Sequence, residues 1–184
     1  NMIAQSQALQ GIATSLSHRG EHRAALENAV RAESLARDAG DDLEIAKALW
    51  AQGSARYRLG ESRTVLPLAE EALAITRRLQ NLNEMGRSLN LLGAAHYALG
   101  QYAQAQNHWE DSLKIFQDLG NRQQELLLLN NLGAIADALG DHETAFLRYQ
   151  NALEIAREIG NRDGEILFLT NRVGEQVALG NYAE

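Results

Sequence analysis

Two histidines and a glutamate near the N-terminus have the residue types and order of a metal site. His18, Glu21 and His22 read H-x-x-E-H, and imidazole nitrogens with a carboxylate are ligands that Zn²⁺ accepts. Such a site needs both histidines on one face of one helix. Gly20 stands between them at a break that recurs along the chain, so the two histidines are expected on different helices. The sequence therefore predicts no metal site.

The other groups that could do chemistry lack partners at useful spacings. His96 and His108 have no acidic residue at ligand spacing, and the chain contains no cysteine. No glycine-rich loop has the context of a phosphate site. The serines and threonines have no base that the repeat places beside them. We therefore expect a non-enzymatic protein with no cofactor.

Composition and charge exclude further classes of function. The formal net charge of -7 repels nucleic-acid phosphates, and no local basic stripe offsets it. No apolar run approaches the roughly 20 residues that cross a bilayer. The absence of cysteine fits a reducing compartment. The sequence predicts a cytoplasmic protein that binds neither nucleic acid nor membrane.

The elements that must position any functional side chain follow a repeat of forty residues. Glycines mark one break in each repeat, and a second set of breaks falls half a period later. The sequence thus predicts a break every twenty residues. The first set is Gly20, Gly60, Gly100, Gly140 and Gly180, and the second is Gly40, Gln80, Gly120 and Gly160.

Between the breaks, apolar residues recur at spacings of three and four, which is helical periodicity. Asp41, Asn81, Asn121 and Asn161 follow the second set of breaks, and three of them precede a Glu or Gln at the spacing of a capping box; Gly164 departs from it. The predicted helices are 3–18, 22–38, 42–58, 64–79, 82–98, 102–118, 122–138, 142–158 and 162–178, with an unfinished tenth after Gly180.

Pro67 is the one irregularity in this pattern. A proline inside a helix removes a backbone donor and clashes with the preceding turn, whereas a proline in the first turn is tolerated. We therefore expect that helix to begin late, with Thr64 as its N-cap.

The residues at fixed places in each unit carry a family resemblance. Large apolar, small and aromatic residues alternate in the third unit at Leu89, Leu92, Gly93, Gly100, Tyr102, Ala105 and Trp109, and in the fourth at Leu129, Leu132, Gly133, Gly140, His142, Ala145, Tyr149 and Ala152. This pattern resembles the tetratricopeptide repeat, in the long-helix variety of kinesin light chains, G-protein signalling modulators and bacterial signalling regulators.

The resemblance implies an all-α, right-handed superhelical solenoid of antiparallel helix hairpins. We expect a single domain over 1–184, with units at about 1–40, 41–80, 81–120, 121–160 and an incomplete 161–184. Because the last helix would lack its packing partner, we also expect the chain to be a piece of a longer protein. We expect this piece to form a homodimer through the uncapped C-terminal repeat.

In the family, the first helix of each pair lines a concave groove. Trp50 is expected there, partly exposed, whereas Trp109 is expected in the core. The implied peptide-binding residues are Lys47, Trp50, Ser54, Tyr57, Arg87, Asn90, Tyr97, Asn130 and Asp137.

Two features of this groove have alternative interpretations. Asn90 and Asn130 share one column, and they either hold a peptide backbone or hydrogen-bond neighbouring helices. Lys47, Arg58 and Arg87 form either a cationic patch or a set of solvated charges. The resemblance implies a protein- or peptide-binding scaffold. The alternative is a ligand-responsive sensor module of a larger bacterial signal-transduction or transcription-regulatory protein.

Overall fold

The computed structural model describes residues 1–178 and residue 180, and every regular element within them is an α-helix. None of these helices is both long and apolar enough to cross a membrane. The bounds are α1 Met2–His18, α2 His22–Ala39, α3 Asp42–Arg58, α4 Ser62–Arg78, α5 Leu82–Ala98, α6 Tyr102–Asp118, α7 Arg122–Ala138, α8 His142–Glu158 and α9 Arg162–Ala178.

The breaks between helices fall where the glycine register places them. Each described break carries a residue with positive φ, which glycine adopts without strain because it has no Cβ. Gln80 is the exception in residue type, since it adopts a φ of 52° at the place that glycine fills elsewhere. The break at Gly180 also has positive φ, while the tenth helix predicted after it lies outside the described residues.

The N-caps after the second set of breaks form as predicted, but the capping boxes do not close. The backbone N–H of Glu44 donates to Asp41 Oδ1 at 3.1 Å, as the cap requires. In a closed box the Glu44 carboxylate would accept from the Asp41 N–H, yet that N–H donates to the carbonyl of Ala36 in the preceding helix, at 3.1 Å. The carboxylate is thereby left for other partners.

The same arrangement recurs at the later caps. Glu84 and Gln124 donate backbone N–H groups to Asn81 and Asn121 at 3.1 and 3.2 Å. Gly164, which lacks the box side chain, still donates to Asn161 Oδ1 at 2.9 Å, so α9 also begins with a capped turn.

The predicted late start of α4 is wrong. The helix begins at Ser62, and Thr64 lies inside it with its hydroxyl donating to the Glu61 carbonyl at 2.8 Å. Pro67 therefore lies in the second turn, on the exposed side of the helix. The earlier start buries Val65 completely and Ser62 almost completely, and this packing outweighs the backbone donor lost at the proline.

The chain forms two compact units, Asn1–His108 and Trp109–Glu184, with α6 running from the first into the second. In unit 1, consecutive helices pack against one another, and α3 also contacts both α1 and α5. In unit 2, α7 packs on α8 and α8 on α9. Short breaks make consecutive helices antiparallel hairpins, so the described chain is an all-α helical repeat fold of the solenoid class.

Small residues allow the helices to approach closely, as the repeat pattern predicts. A Cβ added to Gly133 would lie 2.6 Å from Cε1 of Tyr149, and one added to Gly53 would lie 2.7 Å from Cδ2 of Leu91. Real Cβ atoms do not approach other heavy atoms this closely. The aromatic ring of Tyr149 is buried against Gly133, and it can lie there only because glycine has no side chain.

Candidate functional site

In unit 1, side chains of the odd-numbered helices meet across helix boundaries. Gln10 on α1 donates to Glu44 on α3 at 3.0 Å, and Trp50 Nε1 on α3 donates to the carbonyl of Arg87 on α5 at 3.2 Å. Half-buried side chains follow on the same face at helical spacing. We call this the odd-helix face, and it consists of Lys47, Trp50, Ser54, Tyr57, Arg87, Asn90 and Tyr97.

Trp50 supports a cation within this face. The Arg87 guanidinium lies over the indole ring, 3.8 Å from its centroid, while the indole N–H is used by the Arg87 carbonyl. Trp50 is half-buried and Trp109 is only 3% exposed, as the sequence predicts for both. The exposed part of Trp50 is thus presented together with the charge that it holds in place.

Two cations of the odd-helix face sit above buried carboxylates. Lys47 Nζ lies 2.9 Å from Glu44, and Arg87 lies 2.9 Å from Glu84. About a third of each cation side chain is exposed, at 32% and 30%, whereas the two carboxylates are at 4% and 8%. Each carboxylate lies in the first turn of its helix, where the helix dipole favours a negative charge. The cations are therefore the charges that a ligand would meet.

The remaining predicted groove residues of unit 1 are placed differently. The expected cationic patch consists of Lys47, Arg58 and Arg87. Arg58, at the end of α3, is exposed, whereas Lys47 and Arg87 each form an ion pair with a buried glutamate. Tyr57 and Tyr97 occupy equivalent places on α3 and α5, and Tyr97 also contacts Tyr102, with ring centroids 5.5 Å apart. Aromatic surface therefore continues along the odd-helix face.

In unit 2, the predicted groove residues are Asn130 and Asp137 on α7. Asn130 is half-buried, and Asp137 is exposed near the end of the helix. The structure brings Asp137 to His142, with 3.5 Å between Asp137 Oδ1 and His142 Nδ1. The same nitrogen lies 2.7 Å from Glu175 Oε2. We call these three residues the acid-histidine cluster.

Sequence reasoning missed this cluster. Its ligand atoms all lie within 4.8 Å of one another, although they come from α7, α8 and α9. A signal was nevertheless present at Glu175, because the places 40, 80 and 120 residues before it hold Ile135, Ala95 and Ala55. A carboxylate in a column of core residues indicates a site with a special environment.

The environment of Glu175 changes its acidity. Burial raises the pKa of the Glu175 carboxyl above its ordinary value, and the neighbouring charge of Asp137 acts in the same direction, against the contact with His142, which lowers it. The carboxylate is 5% exposed, and it contacts the imidazole of His142, a group that can also bind a metal.

The other histidines are separated or stacked. His18 ends α1 and His22 begins α2, on either side of Gly20, as predicted, so the H-x-x-E-H string does not lie on one helix. The rings of His96 and His108 stack with centroids 5.2 Å apart. His96 also lies 2.6 Å from the side-chain oxygen of Gln101.

Comparisons with known proteins agree with this architecture. Residues 84–158 match the tetratricopeptide repeat family. A Rap protein complexed with competence and sporulation factor is 16% identical and superposes with a TM-score of 0.86 over 91% of this chain and 47% of that chain. No curated protein matches this sequence.

Two further solved structures show the same fold. A putative kinesin light chain with nearly identical TPR-like repeats from Podosopora anserina is 15% identical, with a TM-score of 0.75 over 95% of this chain and 86% of that chain. A STAND protein with a tetratricopeptide repeat sensor from Pyrococcus horikoshii is 15% identical, with a TM-score of 0.75 over 96% and 28%. The chain spans about half the length of the Rap protein.

Proposed function

We propose that this tetratricopeptide-like repeat protein is a non-catalytic, cytoplasmic module that binds an extended, acidic peptide segment on the odd-helix face of unit 1. The observation that carries the proposal is the pair of partly exposed cations, Lys47 and Arg87, held over buried carboxylates beside aromatic rings. The ligand in this proposal is a protein or linear peptide, and neither nucleic acid nor membrane is part of it.

The cations are suited to recognising carboxylates because their positions are fixed in advance. Arg87 donates to both oxygens of Glu84, at 3.1 and 2.9 Å, and its plane rests on Trp50. A side chain already ordered in this way loses little conformational entropy when a ligand binds. Its remaining N–H groups can make charge-assisted hydrogen bonds to a ligand carboxylate.

The spacing of the cations predicts the spacing of the acids. Lys47 and Arg87 occupy equivalent places on α3 and α5, which contact each other directly. Packed helix axes are about 8–10 Å apart, and an extended peptide in the polyproline II conformation advances about 3.1 Å per residue with three residues per turn. Acidic side chains three positions apart would therefore lie on one side of the peptide, about 9 Å apart, and reach both cations.

A second candidate function is a sensor module of a larger signalling protein, to which binding would transmit a change of shape. It is favoured by the likeness to a STAND protein whose tetratricopeptide repeats are named a sensor, and to a Rap protein complexed with a factor. This candidate uses the same binding face and adds a conformational response. We also propose that the protein self-associates through the exposed apolar side of α9, where a second copy covers Ile166, Val173 and Val177.

A set of synthetic peptides tests the proposed ligand class. Ten-residue peptides with two glutamates separated by two residues should bind more tightly than peptides in which both are glutamine, as measured by fluorescence polarisation at low salt. Replacing Arg87 by alanine should weaken binding about tenfold or more, since a charged hydrogen bond contributes about 1.5–3 kcal/mol. Equal binding of the glutamate and glutamine peptides would refute the acidic ligand.

Arg77→Ala is the matched control, because Arg77 is an exposed arginine in the last turn of α4, outside the odd-helix face. This variant removes the same net charge and should change peptide affinity less than twofold, as expected for a distant charge screened by salt. If Arg77→Ala and Arg87→Ala weaken binding equally, the attraction is a general effect of charge and the face assignment fails.

A further inference from the structure

The acid-histidine cluster is built from three helices of unit 2. Asp137 comes from the end of α7, His142 from the first residue of α8 and Glu175 from the last turns of α9. His142 Nδ1 is the common point, 2.7 Å from Glu175 and 3.5 Å from Asp137. Three potential ligand atoms within 4.8 Å of one another are close enough to share one ion.

In the preceding repeat, the positions equivalent to these three hold residues of other types. Forty residues before Asp137 and His142 stand Tyr97 and Tyr102, whose rings contact each other. Forty residues before Glu175 stands Ile135, which is 2% exposed. Apolar and aromatic residues at repeat positions are thus replaced, in the next repeat, by an acid, a histidine and a buried acid. Burying a carboxylate costs free energy unless a partner compensates for it.

We propose that Asp137, His142 and Glu175 bind a divalent transition-metal ion, for which Zn²⁺ is the best match. Imidazole nitrogen with carboxylate oxygen is a donor set that Zn²⁺ accepts, whereas Ca²⁺ and Mg²⁺ prefer oxygen donors alone. Two carboxylates and a neutral imidazole carry a charge of about -2, which a divalent cation balances.

One of the distances between ligand atoms is already that of a zinc site. Ligand atoms about 2.0–2.2 Å from a tetrahedral ion lie about 3.3–3.6 Å from each other. The 3.5 Å between His142 and Asp137 already has this value. The 2.7 Å between His142 and Glu175 is a hydrogen bond, and the ion would replace its proton and widen the contact by rotation of side chains.

The exposure of the three residues fits binding from solvent. Glu175 is buried, but the side chains of His142 and Asp137 are 33% and 53% exposed. An ion can therefore reach the cluster from the outside and keep a water molecule at its fourth position. Since the ligands come from three helices, binding would join α7, α8 and α9 and stabilise unit 2.

Metal titration of the untagged protein, first treated with a chelator, tests the site. Isothermal titration with Zn²⁺ should give one ion per chain, and Co²⁺ should produce visible absorption bands of tetrahedral intensity. Glu175→Gln and His142→Gln should each lower the affinity for Zn²⁺ about tenfold or more, since each removes a direct ligand. Loss of a group that only hydrogen-bonds to a metal ligand already lowers metal affinity about 10- to 100-fold. Circular dichroism of both variants shows whether they fold, and Asp137→Asn, on the exposed side, should also weaken binding.

His18→Gln and Glu143→Gln are the matched controls. They remove an exposed histidine from the H-x-x-E-H string and an exposed acid beside His142, and both should leave binding unchanged. The proposal is overturned if Zn²⁺ does not bind stoichiometrically in the micromolar range. It is also overturned if binding survives loss of Glu175 and His142, or depends on His18.

Discussion

Gly133 shows how a single residue decides the packing between two helices. The ring of Tyr149 occupies the space in which any other residue at position 133 would place its Cβ. Glycine is a poor helix former, so its position inside α7 is explained by the aromatic neighbour. Sequence pattern alone predicts this pairing, because the repeat places a small residue and an aromatic residue at fixed positions on consecutive helices.

Replacing Gly133 by alanine should destabilise the protein, although alanine is the better helix former. Overpacking costs about 1–3 kcal/mol, which offsets or exceeds the gain in helix propensity of about 1 kcal/mol. Urea denaturation measures the difference. Gly11→Ala in α1, where an added Cβ meets nothing within 4 Å, is the control and should be neutral or stabilising. A Gly133→Ala protein that gains as much stability as Gly11→Ala would contradict the close contact.

At the scale of elements, local chemistry determines most helix ends. Eight of the nine described helices both begin and end within one residue of the predicted bounds, because positive-φ residues end them and Asp or Asn side chains start several of them. α4 departs from the prediction since its start depends on what its side chains bury. Val65 is fully buried in the helix that begins at Ser62. The prediction considered only the backbone restrictions of Pro67 and not this packing.

Gln80, at the break between α4 and α5, is a position where substitution by glycine should stabilise the fold. Its φ of 52° is unfavourable for a side chain with a Cβ, while the other described breaks use glycine. Gln80→Gly should raise the free energy of unfolding by about 1 kcal/mol, because a non-glycine residue in this region costs about 1–2 kcal/mol. Thermal and urea unfolding both report it.

The reverse exchange, Gly120→Gln, is the control at an equivalent break. It should lower stability by a similar amount, since Gly120 has a φ of 65°. If both variants leave stability unchanged, backbone strain at these breaks is too small to matter.

At the scale of the whole molecule, the sequence predicts the fold more fully than the sites. A period of forty residues places Lys47 and Arg87 at equivalent positions in successive repeats, so side chains of the odd-helix face could be named from the sequence. The burial of Glu44 and Glu84 beneath those cations was not predicted. The capping boxes stay open, and the carboxylates stay free, because the N–H groups of Asp41 and Asn81 donate to carbonyls of the preceding helix. The acid-histidine cluster requires three helices to converge, and neighbouring positions in sequence do not reveal that.

The central claim is that the odd-helix face of unit 1 binds an extended acidic peptide. Amide chemical-shift mapping of isotope-labelled protein, titrated with the peptide that carries two glutamates three positions apart, tests it most directly. The account predicts that the largest shift changes fall on α3 and α5, around Trp50 and Arg87, with the indole N–H of Trp50 among them. Changes concentrated on α2 and α4, or no changes at saturating peptide, would contradict it.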